Sequence, residues 1–169
     1  SYEEELTIVK RLSKIQIDGV LVAPSSETKN FDLVVMGTQG ATGAKEIFLG
    51  THTVHVIRKS KIPVLAVPVG YEFKKIKSII FPTDYGQLYL DKDLKLLVNI
   101  SNTHKAKLTI LHVKEEYDLV DEQKVNKKAL MDYFKNINPD FVEERGKLMP
   151  EAIRTYIEEH QSELLVIMS

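Results

Sequence analysis

The run Met36-Gly-Thr-Gln-Gly-Ala-Thr-Gly-Ala-Lys-Glu-Ile-Phe-Leu-Gly50-Thr51 offers this sequence's clearest chemistry. It sets Gly37, Gly40, Gly43 and Gly50 between a strand-like apolar segment and a helix-like one. Glycine lets a backbone approach a ligand closely, a threonine at position 51 can cap a helix, and the free N–H groups of a helix start attract anions. Phosphate is the ligand that combination suits. The run is not a Walker A loop, because no Gly-Lys-Ser/Thr occurs, and Gly37-x2-Gly40-x2-Gly43 is not the dinucleotide fingerprint. A strand-to-helix loop with glycines is more often an ordinary turn, so on residue types alone both readings stand.

A second candidate is Asp84, in Phe81-Pro82-Thr83-Asp84. An aspartate just after a strand caps the next helix or sets a turn with Gly86, and it can equally face a ligand. The histidines offer less. His52 and His55 are spaced i, i+3, but no third ligand stands beside them, so no metal site is expected. His112 lies in an apolar run and reads as a packed, hydrogen-bonded core residue, while His104 and His160 fall near helix ends. Asn99-Ile-Ser101 matches a glycosylation acceptor but lies within a helical pattern, and Lys124, Lys127 and Lys128 read as a solvated basic face. No Ser/His/Asp order, carboxylate pair or Gly-x-Ser-x-Gly elbow appears, so no catalytic residue is assigned.

The elements that must position these residues alternate. Segments 20–23, 33–36, 64–67, 78–81, 108–113 and 164–168 are short and rich in Val, Ile and Leu, without a polar face. They read as strands covered on both sides. Helical spacing fills the intervals: 3–14, a short helix at 51–59 with Val54 and Ile57 inward, and Leu94, Leu97 and Val98 behind Asp91 or Asp93. Two more are expected at 121–137, with Val125, Leu130, Tyr133 and Phe134 on its stripe, and after Pro150, with Ile153, Tyr156, Ile157 and His160. The fold class expected is α/β, an open parallel sheet with helices on both faces in a Rossmann-like arrangement.

The chain has 169 residues, 23 Lys+Arg against 24 Asp+Glu, 43% hydrophobic residues and no cysteine. The charge balance speaks against nucleic acid as a partner, and the lack of cysteine excludes disulfides and thiolate metal sites. The apolar runs fall well short of the roughly 20 residues of a membrane span, so no membrane association is expected. No basic segment leads into an apolar stretch near the start, so a signal peptide is not expected and a cytoplasmic location is. Phe31-Asp-Leu-Val-Val-Met36-Gly37 lies over Glu163-Leu-Leu-Val-Ile-Met168-Ser169, a domain-sized echo that either marks two copies of one domain type or is chance likeness between buried strands. Gly70-Tyr-Glu-Phe-Lys-Lys75 is the candidate linker, dividing 1–70 from 74–169.

The spacing Gly37-x2-Gly40-x9-Gly50-Thr51, preceded by Asp32-Leu-Val-Val-Met36 and followed by Pro63-Val-Leu-Ala-Val67-Pro68, closely resembles the nucleotide-binding signature of the universal stress protein family. Lys77-Ser-Ile-Ile-Phe-Pro82-Thr83-Asp84 resembles that family's first strand, and Leu108-Thr-Ile-Leu-His112-Val113 its second. The resemblance implies an adenine nucleotide α-hydrolase-like fold and an ATP site, with or without Mg²⁺. Met36, Gly37, Gly40, Gly50, Thr51, Pro82, Thr83, Asp84 and Val113 would bind the nucleotide, with the phosphates on the stretch from Gly37 to Thr51, Asp84 at the adenine end and the backbone near Val113 facing the same ligand.

It also implies a stress-response role carried by binding, with at most slow ATP hydrolysis, and a homodimeric or domain-paired state. The alternative is a family member that binds no nucleotide and acts through dimerisation or a partner. In the family the Pro-Thr-Asp strand precedes the glycine loop within one domain, whereas here it follows. The order therefore resembles the C-terminal half of one domain followed by the N-terminal part of the next. Two outcomes are open: the halves join as one permuted domain with the strand before Gly37 beside the strand before Asp84, or each leaves a sheet edge for another chain.

Overall fold

A computed structural model describes residues 33–38, 51–114, 117–145 and 148–168. The expected helix at 3–14, the strand at 20–23, and Gly40, Gly43 and Gly50 lie outside these residues. The chain divides into two units, Ser1–Phe73 and Lys74–Ser169.

In the first unit, β1 (Val34–Thr38) pairs in parallel with β2 (Val64–Pro68), with Val34 opposite Val64 and Thr38 opposite Pro68. A parallel pair needs a crossover, and α1 (Thr51–Lys59) lies within it. Arg58 and Lys59 sit in the last turn of α1, where cations suit the helix dipole, and Val54 and Ile57 are half-buried as their spacing requires.

The second unit is a four-stranded parallel sheet in the order β5-β4-β3-β6. Its chain order is β3 (Ser78–Pro82), α2 (Asp91–His104), β4 (Lys107–Lys114), α3 (Asp121–Phe134), β5 (Asp140–Arg145), α4 (Met149–His160) and β6 (Leu164–Leu165). Alternate residues of the central strands feed two cores. Ile79, Phe81, Leu108 and Ile110 pack with Leu94 and Leu97 of α2 and Leu130 and Phe134 of α3. Ile80, Leu111 and Val113 point the other way and pack with Ala152 and Tyr156 of α4. Helices therefore cover both faces, which explains why β3 and β4 present apolar residues to both sides of the sheet. The connections run outward from β3 to β4 to β5, then return to place β6 on the far edge of β3. That reversal is the switch point at which open α/β sheets form a ligand crevice beyond the strands' carboxyl ends.

Both edges of β3 are filled from within its own unit. The pairing of the strand before Gly37 with the strand before Asp84, needed by a single permuted domain, is therefore not the one formed. Three further expectations change. The strand expected at 164–168 is confined to Leu164–Leu165, although the N–H of Val166 still donates to the Ile80 carbonyl at 2.9 Å. Strand β5 was not expected, because Asp-Phe-Val-Glu-Glu-Arg has the charge of an edge strand and a short apolar stretch. Val125 is 66% exposed; the buried stripe of α3 is Asn126, Leu130 and Phe134, one residue out of step and led by an amide.

Candidate functional site

The carboxyl end of β3 carries the most tightly specified polar structure among the described residues. Backbone pairing continues past the strand, with the Thr83 N–H donating to the Leu111 carbonyl at 2.9 Å. The chain then turns within three residues. The Thr83 hydroxyl accepts the Tyr85 N–H at 3.0 Å, and Asp84 Oδ1 accepts the Gly86 N–H at 2.7 Å. Both are side-chain turns of the kind threonine and aspartate favour, so the turn role open to Asp84 is realised. Its carboxylate remains at the surface. A β-carbon at position 86 would stand 3.0 Å from both Asp84 carboxylate oxygens, so glycine gives that carboxylate its room.

Tyr85 anchors the turn. It is 2% exposed and has φ of 59°, a left-handed conformation that costs a bulky residue roughly 1–2 kcal/mol. Its ring lies against the His112 ring, centroids 4.7 Å apart, and Lys127 Nζ stands 5.4 Å from the ring centre. His112, read from sequence as a packed core residue, is 5% exposed and places Nδ1 2.9 Å from the Thr83 carbonyl oxygen. The Thr83 hydroxyl also lies 3.0 Å from that of Tyr89. Two amides on α3 complete the frame: Gln123 Nε2 donates to the Asp84 carbonyl at 2.9 Å and Asn126 Nδ2 to the Tyr85 carbonyl at 3.0 Å. Sequence reading missed both amides and Tyr85. The signal was an amide in phase with Leu130 and Phe134, where an apolar residue would be expected.

Burial, reinforced by the charge of Glu143 and by Tyr89, pushes the Tyr85 phenol from 10.0 up to about 12. Its unfolded counterpart releases the proton near pH 10, so the stability it lends is complete below that pH and lost as pH rises toward 12. Tyr85→Phe has no proton to release. Urea denaturation of both proteins between pH 9 and 12 should show the wild type losing about 2 kcal/mol more than the variant. Parallel decline of the two would contradict the assignment.

The other sequence candidates fall as follows. Pro82 ends β3, and Val113 lies near the end of β4, 8% exposed and in the core beneath α4. Met36, 4% exposed, and Gly37 belong to β1 in the first unit, and Thr51 begins α1. Among the described residues nothing comes within 4 Å of where a Gly37 β-carbon would stand. No cluster of three metal-ligating side chains occurs among the described residues, and no described helix is long and apolar enough to cross a membrane.

Parallel strands, crossover helices on both faces and a strand reversal beside a polar strand end define a Rossmann-like α/β protein. The model of the universal stress protein family matches residues 25–68, the stretch that contains β1, α1 and β2. Universal stress protein MJ0577 of Methanocaldococcus jannaschii is 39% identical over 59 residues, 35% of this chain and 36% of that protein. The crystal structure of a universal stress protein from Archaeoglobus fulgidus superposes with a TM-score of 0.62 at 20% identity, over 82% of this chain and 51% of its own. The matched regions thus span about a third to a half of these relatives' lengths. Residues 25–68 are thus similar to the universal stress protein family, and the α/β fold of the chain is of the type seen in the Archaeoglobus fulgidus structure.

Proposed function

We propose that this chain is an adenine-nucleotide-binding module of the universal stress type, which takes ATP, with Mg²⁺ as counter-ion, and acts by binding. The observation that carries the reading is the coincidence of the family match with the Gly37-x2-Gly40-x9-Gly50-Thr51 spacing, on a segment that contains β1, α1 and β2. Helix α1 has no acidic residue in its first turn, whereas α2, α3 and α4 each have at least one. Its amino end therefore keeps its partial positive charge for an external anion. The loop side (Met36, Gly37, Gly40, Gly50, Thr51) falls in the first unit and the adenine side (Pro82, Thr83, Asp84, Val113) in the second. Pairing of two domains of this type, within a longer tandem protein or as a homodimer, would complete such a site, in keeping with the echo between 31–37 and 163–169.

A second reading is a protein that binds no nucleotide and works through its partners. It is favoured by the exposed Val69 (72%) and Phe73 (76%) on either side of Gly70. Nucleotide content separates the two. Protein purified without added nucleotide should show adenine absorbance and an ATP or ADP mass on native mass spectrometry, reduced at least severalfold by Asp84→Ala. Nucleotide-free protein that also fails to take up added ATP would favour the second reading.

A further inference from the structure

We infer that Gln123 and Asn126 of α3 are positioning residues for the proposed nucleotide site, holding the Asp84 and Tyr85 carbonyls so that the Asp84 carboxylate is presented in one direction. The inference rests on the nucleotide-binding reading and adds the device that aims its adenine side.

The turn at 83–86 is closed locally by the Thr83 and Asp84 side chains, but the backbone conformation of residue 85 works against it. Tyr85 at φ 59° is in a conformation that only glycine, and to a lesser degree Asn or Asp, visits freely. Relaxation of residue 85 to negative φ would rotate the peptide that joins it to Asp84 and swing the carboxylate with it. The donors that oppose this relaxation come from 39 and 41 residues away in sequence.

Asn126 is 7% exposed and occupies the place in the Leu130 and Phe134 stripe where an apolar side chain would pack. A buried amide is costly there unless it is used, and its use is the Tyr85 carbonyl. Gln123 joins two structures through one side chain: Oε1 accepts the Val120 N–H at 3.0 Å, capping α3, while Nε2 donates to the Asp84 carbonyl. The start of α3 and the Asp84 turn are thereby a single hydrogen-bonded body.

The test uses the whole chain with ATP and GTP, each with Mg²⁺, titrated calorimetrically into the wild type, Asn126→Ala and Gln123→Met. Amide exchange of Tyr85 and Gly86 is followed by NMR. Gln123 is half-buried rather than buried as Asn126 is, so its variant remains informative if Asn126→Ala does not fold. The expected result is faster exchange at both amides, ATP affinity lower by about three- to tenfold, and a similar fall in the ATP-to-GTP preference. A role in stability alone would leave that preference unchanged, and this result would overturn the proposal, as would unaltered ATP affinity with faster exchange. A wild type that binds neither nucleotide removes the functional reading and this proposal together. A wild type that binds ATP identically to both variants removes this proposal alone.

Discussion

Tyr85→Ala should cost the second unit about 3–5 kcal/mol, the range for removing a buried aromatic ring, and Tyr85→Gly should cost less than alanine does. The first part follows from burial. The ring is 2% exposed in the core formed by Phe81, Leu94, Leu108 and Phe134, and its loss also uncovers His112. The second part follows from the backbone. Alanine inherits the strain of φ 59° without the packing that compensates for it, whereas glycine adopts that angle freely, a difference of roughly 1 kcal/mol. In a helix or strand the order would be the reverse. Because a whole domain is stable by only about 5–15 kcal/mol, the alanine variant should populate open forms measurably. Residue-resolved amide exchange across β3 and β4 reads this unit directly. An alanine cost below 1 kcal/mol, or glycine worse than alanine, would show that the turn is not held as described.

Gly50→Val should lower ATP affinity at least about a hundredfold. The residue directly precedes Thr51, the first residue of α1, and the first N–H groups of a helix have no partners within it. An anion seated there gains charge-assisted hydrogen bonds of about 1.5–3 kcal/mol each as well as the dipole's attraction. A branched side chain at position 50 would keep phosphate from reaching those groups. Loss of two such bonds accounts for a change of that size.

Most of the architecture is legible in the sequence because period and length agree. Residues 78–81 and 108–113 are rich in Ile, Leu, Val and Phe without a polar face, since β3 and β4 are covered on both faces. Residues 51–59 show a helical stripe ending in Arg58 and Lys59, and α1 has those bounds. The edges of the second sheet are harder to read. Strand β5 alternates charge with little apolar content because one of its edges has no strand partner in that sheet, and β6 is short enough that the run to Met168 exceeds it. On α3 the stripe misleads by one position, because Val125 is apolar but exposed while Asn126 is polar but buried.

The same division holds at the candidate site. Asp84 and Gly86 are visible in sequence as a turn pair, since that interaction is local. Gln123 and Asn126 are not, since their partners are 39 and 41 residues distant and only the fold brings them together. Tyr85 hides for another reason. Its left-handed backbone carries none of the glycine that marks such a position, being held by the core and by α3 instead. Thr53, 1% exposed on α1, likewise gives no sign in the apolar spacing of Val54 and Ile57.

The proposed nucleotide site joins the glycine-rich stretch from Gly37 to Gly50 to the amino end of α1. Its most direct test is a calorimetric titration of ATP with Mg²⁺ into the chain, beside Gly50→Val under the same conditions. Saturable heat is expected for the first and its loss in the second. Absence of binding in both, or equal binding in both, would contradict it.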